Sequence, residues 1–207
     1  MIRNKPLVNL RATDSSPSGE FFVKRVVATG ERLAVFQFRY TVIVEELGVQ
    51  IPAANHEHCS IEDDEDSFAH IFAAYDGGEV VGTCRVNFLR DGSVDPHSRL
   101  MNLGASSTRD VMSVSSRFLV AARYRGTFVA VMLIQAWYRF LRASGIESDY
   151  ILVKSDLADF YARIGYRPFG DSLSHPEVGE VLPLWLSVLD ETHLRAIRSP
   201  FVRCFLK

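Results

Sequence analysis

The order of apolar and polar residues predicts alternating strands and helices from about residue 20 onward. The run FFVKRVVA, from Phe21 to Ala28, has the aromatic and β-branched content of a strand. Apolar residues then recur every three or four positions, at Leu33, Phe36, Tyr40 and Ile43. This spacing predicts a helix over 31–47, with Thr29 as its N-cap and Gly48 as the residue that ends it.

Two further apolar runs, FAHIFAAY and EVVGTCRVNFL, are joined by DGGE. Asp76, Gly77 and Gly78 are the residue types that a tight hairpin turn needs, because two of its positions often require positive φ. We therefore predict an antiparallel pair of strands. The polar stretch from Arg90 to Asp110 is long for a connection in a compact domain, which indicates a role in binding.

The second half of the chain continues the alternation. VMSVSSRFLVAA predicts a strand, RYRGT a bend, and the next residues a helix from Thr127 to about Ala143. DYILVKS predicts a short buried strand, DLADFYARIGY a helix ended by Gly165, and EVLPLWLSVLD a strand in which Pro183 indicates an edge or a bulge. ETHLRAIRSPF predicts a last helix that stops at Pro200. The order describes a mixed α/β domain built on one sheet.

Composition limits the possible classes of protein. The 207 residues suffice for one domain, which we place at 20–207 after a polar, flexible arm at 1–19. A net charge of -2 and a pI near 6.3 argue against a nucleic-acid partner. The sequence has no apolar run long enough for a membrane span and no signal-peptide pattern, so we expect a cytoplasmic protein.

The cysteines and histidines predict no metal site and no disulfide framework. Cys59, Cys84 and Cys204 are far apart and form no CxxC pair, and Cys84 lies in an apolar strand as a small core residue would. The segment NHEHC contains possible metal ligands, but no second cluster stands at a suitable spacing.

The bend RYRGT is a candidate anion site. A helix begins with N–H groups that have no partner within the helix, and its dipole adds partial positive charge there. Arg125, Gly126 and Thr127 would add a guanidinium, an unobstructed backbone and a hydroxyl donor. The alternative is a helix start with a surface arginine.

At this bend the sequence resembles the GNAT acyltransferases, whose phosphate-binding signature is Q/R-x-x-G-x-G/A. Arg125 and Ala130 match, whereas Phe128 stands at the first signature glycine and would crowd a pyrophosphate. The resemblance implies that the preceding strand pairs with a pantetheine arm while the bend holds its phosphate. The implied donor-binding residues are Phe118, Leu119, Val120, Arg123, Arg125, Gly126 and Thr127.

DFYARIGYRPFG carries a second GNAT-like motif, Y-x-x-x-G-F/Y, matched by Tyr161, Gly165 and Tyr166. The resemblance makes Tyr161 the acid that protonates the departing thiolate. A phenol suits this role because it stays protonated at neutral pH. The alternative is a half-buried helix residue with a hydrated hydroxyl.

Four segments narrow the resemblance to one branch of that family. FRYTVIVEELG, EDDED, GEVVGTCR and SSRFLV occur in the same order as related motifs in the long-chain N-acyl amino acid synthases and, more distantly, the acyl-homoserine lactone autoinducer synthases. The resemblance implies a GNAT fold, with a central mixed, mostly antiparallel sheet flanked by helices. It also implies an acyl-phosphopantetheine donor, on an acyl carrier protein or as acyl-CoA, and no permanently bound cofactor.

One departure concerns the catalytic base. The related motif ExSRF has a glutamate where this chain has Val114. The acceptor amine must then lose its proton through a water or through an acidic residue of the EDDED loop, and the candidates are Glu62, Asp63 and Asp66. The alternative is a solvated acidic surface.

Arginines in apolar segments form the predicted acceptor site. A buried guanidinium normally needs a carboxylate partner. The candidate partners are Asp63, Asp64 and Asp66 of the acidic loop. The arginines either lock the acidic loop or also bind an acceptor carboxylate. The predicted substrate-binding residues are Arg39, Arg85, Ser116 and Arg117.

The basic C-terminal segment offers a surface for an acidic carrier protein. Its basic residues, which would act with Arg123 and Arg125, are Arg195, Arg198, Arg203 and Lys207. The alternative is a solvated tail.

These observations favour an N-acyltransferase that moves a long acyl chain from a carrier protein or coenzyme A to the α-amine of an amino acid. Three alternatives stay open: an acetyl-CoA-dependent N-acetyltransferase, an acyl-homoserine lactone synthase, and a non-catalytic acyl-binding module. The missing glutamate at Val114 counts against the lactone synthase.

Overall fold

The computed structural model describes residues 20–91, 96–105, 108–176 and 178–205. The predicted arm 1–19, Lys207 and parts of the stretch from Arg90 to Asp110 lie outside these residues. Within the described part, no helix combines the length and the apolar character that crossing a bilayer requires.

The strands are β1 (Phe21–Val26), β2 (Ala54–Asn55), β3 (Ser60–Ile61), β4 (His70–Asp76), β5 (Glu79–Phe88), β6 (Met112–Val120), β7 (Ser148–Val153), β8 (Arg167–Pro168), β9 (Leu173–His175) and β10 (Gly179–Ser187). The α-helices are α1 (Thr29–Tyr40), α2 (Pro96–Leu100), α3 (Phe128–Ala143), α4 (Ala158–Ile164) and α5 (Glu191–Ala196). A π-helical segment spans Thr41–Glu46. Short 3₁₀ segments span Asp64–Phe68, Leu89–Asp91, Leu103–Ala105, Arg109–Val111, Ala122–Tyr124, Ser155–Leu157 and Pro200–Cys204.

One mixed sheet organises the chain, in the order β1-β4-β5-β6-β7-β10-β8, with β9 also paired to β10. Among the described strand pairs, β6 and β7 run parallel and the others run antiparallel. Helices pack on this sheet, which confirms the predicted α/β class. A small separate pair, β2 and β3, was not predicted.

Alternate residues of β4 show that both faces of the sheet are covered. Phe72 and Ala74 belong to the main core, which contains the buried side of α3. Ile71 and Ala73 belong to a second cluster that contains residues of α1. Cys84 is buried in the main core, as predicted.

The first helix differs from its prediction at both ends. It begins at Thr29, and Ala28 is the N-cap, so the prediction of Thr29 as cap is wrong. Ala28 takes extended backbone angles, and its carbonyl accepts the N–H of Arg32. Helical hydrogen bonding continues to Glu46, but in the wider π form over the last six residues.

The hairpin prediction is confirmed, and the prediction for Pro183 is wrong. Gly77 and Gly78 join β4 to β5 at φ values of 55° and 102°. Pro183 pairs with Leu152 inside β10, which has neighbours on both sides. Its carbonyl accepts the N–H of Phe169. The proline nitrogen, which has no hydrogen to donate, is directed to the same side, at the gap between β8 and β9, so no strand hydrogen bond is lost there.

Gly165 should be required for the close packing of α4 against α5. Its φ is 127°, and a Cβ at this position would clash with the side chain of Leu194 and lie 3.1 Å from that of Leu186. We expect Gly165→Ala to lower the free energy of unfolding by about 2–4 kcal/mol, the sum of backbone strain and overpacking.

Gly170→Ala is the matched control, because Gly170 has a φ of 85° and open space around its Cβ position. Urea unfolding gives the free energy of unfolding of both variants, and the difference between them separates the cost of the steric clash from that of backbone strain. Equal losses of stability in the two variants would contradict the packing explanation.

Candidate active site

The strands β6 and β7 separate halfway along the sheet. Their pairing covers Met112 to Val114, opposite Ser148 to Tyr150. Beyond these residues β6 continues to Val120 and β7 to Val153 without hydrogen bonding to each other. This separation leaves one edge of β6 unpaired in the middle of the sheet.

A β-bulge redirects β6 beside this gap. Arg117 has a φ of 52°, and the register between β5 and β6 shifts between Thr83 and Arg85. A left-handed conformation costs a non-glycine residue about 1–2 kcal/mol, and such strain is concentrated at functional sites. After the bulge, Phe118 packs on the main core, whereas Leu119 packs with Tyr40 on the opposite face.

A mostly apolar pocket of about 300 Å³ lies where β6 has lost its neighbour. Its lining brings together most of the predicted donor-binding residues and Tyr161. The lining residues are Phe118, Val120, Arg125, Gly126, Ala130, Leu157, Phe160 and Tyr161. Phe128 lies outside this lining, with its ring edge-on to Phe21 at 4.8 Å.

The bend before α3 is built as the sequence predicts. Gly126 has a φ of 77°, which explains the glycine. Thr127 is the N-cap of α3, and its hydroxyl accepts the N–H of Val129. The same hydroxyl donates to the carbonyl of Tyr124 at 2.7 Å, so its proton is already used within the bend.

Arg125 has an unexpected partner in this structure. Its Nη2 donates to Oε2 of Glu46 at 2.7 Å, and its Nε donates to the carbonyl of Val120 at 3.0 Å. The other oxygen of Glu46 accepts the N–H of Ala122 at 3.4 Å. A carboxylate from the π-helical segment therefore occupies one of the predicted phosphate donors, the guanidinium of Arg125. Arg123 lies apart and forms an exposed ion pair with Glu79.

Tyr161 is buried, with 7% of its surface exposed, which differs from the half-buried alternative. Burial raises the pKa of its phenol, and the charges of Cys84 and Asp149 raise it further. The hydroxyl therefore stays protonated at neutral pH and can donate a hydrogen bond in the pocket. Its proposed role as an acid stays a prediction.

The predicted acceptor residues form one ion-pair cluster on the other face of β6. Arg117 makes two hydrogen bonds to Asp63, at 2.8 and 2.6 Å, and Arg85 makes another at 2.7 Å. Arg85 also donates to the hydroxyl of Ser116 at 2.9 Å. The structure thus brings Arg85, Ser116 and Arg117 together around one carboxylate.

Arg39 and Asp66 form the buried end of this cluster. They are joined by two hydrogen bonds, at 2.6 and 3.0 Å, and neither side chain is exposed. Asp66 also accepts the N–H of Asp63, which fixes the start of the acidic 3₁₀ segment. This geometry matches the ion-pair lock, and it leaves Arg39 out of reach of a ligand in this conformation.

The three predicted acidic bases differ in environment. Burial alone would raise the pKa of Asp63, but the hydrogen bonds and charges of Arg117 and Arg85 lower it to about 2. Such a carboxylate is a weak base, and Asp66 has no access to solvent. Glu62 is exposed on a separate pocket of about 710 Å³, whose walls include Asn55, Ser60, Glu62, Asp63, Asp64 and Ser67.

His97 beside this cluster was not recognised from sequence. Its ring lies 5.3 Å from that of His175. Burial lowers the pKa of His97 to about 3, and the charges of Arg85, His175 and Arg117 act in the same direction. The imidazole is therefore neutral at pH 7. A histidine in the middle of a polar stretch gave no signal of this position.

The NHEHC segment is held by an ordinary contact, because Nδ1 of His56 lies 2.8 Å from the hydroxyl of Tyr40. Across the described ranges, no three histidine, cysteine, aspartate or glutamate side chains are grouped closely enough to hold a metal ion.

A basic groove of about 740 Å³ adjoins the bend. Its lining includes Phe128 at the start of α3 and Arg195, Arg198 and Arg203 of the C-terminal segment. The predicted basic surface is therefore partly assembled next to the predicted phosphate site.

The family model of the N-acyl amino acid synthase FeeM matches residues 34–187 of the chain. The structure of FeeM, an N-acyl amino acid synthase from uncultured soil microbes, is similar with a TM-score of 0.65 at 16% identity, over 83% of this chain and 92% of that one. The structure of BjaI, a CoA-dependent acyl-homoserine lactone synthase solved with SAM and isopentyl-CoA, is similar with a TM-score of 0.68 at 16% identity, over 87% of this chain and 91% of that one.

A putative N-acetyltransferase from Lactobacillus plantarum gives a TM-score of 0.61 at 19% identity, over 83% of this chain and 100% of that one. No curated protein matches the chain. The three structural similarities confirm the predicted GNAT-type fold.

Removal of Arg39 should destabilise the fold far more than removal of an arginine whose ion pair is exposed. Arg39→Met leaves the Asp66 carboxylate buried without its main counter-charge, which typically costs about 3–5 kcal/mol. Arg123→Met is the control, because the pair of Arg123 with Glu79 is exposed, and such pairs contribute about 0–1 kcal/mol. Chemical unfolding at neutral pH measures both. A loss below about 1 kcal/mol for Arg39→Met would refute the lock.

Proposed function

Because the chain belongs to the N-acyl amino acid synthase FeeM family and is therefore an acyltransferase, we propose that it transfers a fatty acyl chain from an acyl carrier protein to the α-amine of an amino acid. One observation supports this most directly. Phe118 lines the apolar pocket on one face of β6, and the preceding residue, Arg117, binds Asp63 of the acidic pocket on the opposite face, beside the unpaired edge. A thioester on one side can there meet an amine from the other.

The donor arm binds along β6 in this proposal. The backbone of Phe118, Leu119 and Val120 has no strand partner on the side of β7, so it can pair with the amide groups of pantetheine as with a peptide strand. The phosphate of the arm then reaches Arg125 and the backbone of Gly126 at the start of α3. For this, the phosphate replaces the carboxylate of Glu46.

The acceptor binds on the other face. An amino acid carries a carboxylate and an ammonium group, and the ion-pair cluster offers both signs of charge. Arg117, whose side chain is 20% exposed, and Ser116 hold the carboxylate. Glu62 draws the ammonium group and accepts its proton, directly or through a water. Asp63 keeps the arginines in place.

The reaction is an addition followed by an elimination. The neutral amine attacks the thioester carbonyl, and a backbone N–H of the unpaired edge of β6 stabilises the oxyanion. The C–S bond then breaks and an amide forms. Tyr161 donates its proton to the departing thiolate, and the second proton that the amine nitrogen loses returns to Tyr161 through a water. Holding the two substrates across the gap supplies most of the rate enhancement.

The basic groove supports a carrier protein as donor. Arg195, Arg198 and Arg203 lie beside the bend that holds the phosphate, where an acidic carrier helix would approach. Coenzyme A is the other possible donor, since the similar protein BjaI is described as CoA-dependent. Salt sensitivity of the KM for the carrier protein distinguishes the two.

Mass spectrometry of lipid extracts from cells that overproduce the protein tests the proposed reaction. A new N-acyl amino acid would identify both the acceptor and the chain length. Purified protein with acyl carrier protein and acyl-CoA donors of several lengths then identifies the donor. Three results would instead favour the alternatives. Transfer of acetyl groups only would indicate an N-acetyltransferase, and use of S-adenosylmethionine as acceptor would indicate a lactone synthase. Binding without turnover would indicate a non-catalytic acyl-binding module.

Arg125→Ala and Tyr161→Phe should affect different steps. We expect Arg125→Ala to raise the KM for the donor about 10-fold, because one charge-assisted phosphate contact is lost. Tyr161→Phe should lower kcat by about 10- to 100-fold with little change in KM. Arg139→Ala, an exposed arginine further along α3, is the control. Unchanged steady-state kinetics in both site variants would contradict the mechanism.

Glu46→Gln should strengthen donor binding. The neutral amide no longer competes with the phosphate for Arg125, so we expect the KM for the donor to fall about 2- to 5-fold at low salt, as for one surface charge pair. Glu45→Gln is the control, since Glu45 is exposed on the same segment. A KM that rises in Glu46→Gln would show that Glu46 assists binding instead.

A further inference from the structure

A buried carboxylate lies at the point where β6 and β7 separate. Asp149 on β7 has no exposed surface. Its Oδ1 accepts hydrogen bonds from the hydroxyls of Ser113 and Ser115, the latter at 2.8 Å. Its Oδ2 accepts the hydroxyl of Tyr166 at 2.5 Å. None of these contacts is used by the proposed reaction.

The positions of these partners connect the carboxylate to both sides of the gap. Asp149 pairs with Ser113, one residue before the last paired position. Ser115 is the first residue of β6 beyond the pairing with β7. The carboxylate therefore hydrogen-bonds to β6 on both sides of Val114, the last residue that pairs with β7.

Tyr166 extends this connection to the pocket. It directly follows Gly165 at the end of α4, and its ring packs edge-on against that of Tyr161 at 5.5 Å. One carboxylate thus touches β6 and, through one tyrosine, supports the ring of the proposed acid.

This arrangement is difficult to explain by stability. Transfer of an ionised carboxylate into a protein core is unfavourable by several kcal/mol, and apolar residues of similar size usually pack there at less cost. Among the described residues, the groups that hydrogen-bond the carboxylate are three neutral hydroxyls, with no arginine or lysine. The described titratable groups whose pKa its charge raises are Cys84 on β5, Tyr161 and Tyr166 at α4, and its neighbour Tyr150 on β7.

We propose that Asp149 is a positioning residue for acyl transfer, which in its ionised form sets the width of the gap between β6 and β7 and the orientation of Tyr161. The inference rests on the proposed function. Asp149 itself does not touch the substrates. It acts through Ser113 and Ser115 on the strand that receives the thioester, and through Tyr166 on Tyr161.

The protonation state of Asp149 gives this role a distinct pH dependence. Burial raises the pKa of Asp149 to about 7, although the hydrogen bonds from Ser113, Tyr166 and Ser115 lower it. A protonated carboxyl has its own proton to donate and cannot accept from all three hydroxyls as before. Acyl transfer should therefore fall as the pH drops through about 7.

Stability should change in the opposite direction. The pKa of Asp149 in the folded state lies above its ordinary value of 3.8, so the folded protein binds more protons than the unfolded chain between these values. The contribution of Asp149 to stability is complete below pH 3.8 and is lost as the pH rises through about 7. If Asp149 were merely structural, activity and stability would decrease together as the pH falls. If it is a positioning residue, activity decreases as the pH falls while stability increases.

The experiment compares wild type, Asp149→Asn and Asp171→Asn in acyl transfer and thermal unfolding from pH 5.5 to 9. Asp171 is exposed and serves as the control. We expect kcat of Asp149→Asn to be about 10- to 100-fold lower at pH 8, as for a displaced reacting group. The KM for the donor should change less than about 3-fold, and the step in kcat near pH 7 should disappear. Its Tm should no longer fall as the pH rises from 5.5 to about 7.

Tyr166→Phe is the second variant if Asp149→Asn does not fold. It removes one hydroxyl and keeps the ring, so we expect a lower kcat, an unchanged KM and a pH midpoint moved upward. Wild-type kcat and pH profile in either folded variant would overturn the inference. Absence of transfer by the wild type with every donor would instead reject the proposed function, which separates the two failures.

Discussion

The unpaired edge of β6 is the constraint on which the rest of the site depends. A strand in the middle of a sheet normally has both edges hydrogen-bonded, and exposed N–H and C=O groups attract another extended chain. Here the neighbouring strand turns away after Tyr150 and continues its pairing with β10 instead. The free groups of β6 therefore lie in the middle of the sheet, beside the apolar pocket, where we propose that the pantetheine arm pairs with them.

Two charged arrangements keep this edge in place. The cluster of Arg39, Arg85 and Arg117 with Asp63 and Asp66 joins α1, the acidic loop and β6 on one face. Asp149 and its hydroxyl partners join β6 and β7 on the other. Between them lies the strained backbone at Arg117, whose conformation is maintained because its side chain is held by two hydrogen bonds.

Local features were predictable where a few adjacent residues determine them. The Gly-Gly hairpin, the glycine of the bend before α3 and the glycine at the end of α4 each follow from positive backbone φ angles at those positions. The order of motifs led to the fold and to the grouping of Arg85, Ser116 and Arg117. The use of Glu46 and the place of Pro183 depend on contacts across the sheet, which periodicity does not encode. The lone aspartate within the apolar run DYILV was a visible signal for a buried carboxylate, but its partners were not deducible.

The π-helical segment has a consequence for the direction of the side chains that it carries. Arg39 and Glu46 are seven residues apart, a spacing that places two side chains on the same face of an α-helix after two turns. The wider coil from Thr41 onward changes that phase, so Arg39 enters the buried ion pair while Glu46 meets the bend before α3. One continuous helical segment therefore contacts both the ion-pair cluster and the bend before α3, and a one-residue deletion in it would rotate one contact away while leaving the other intact.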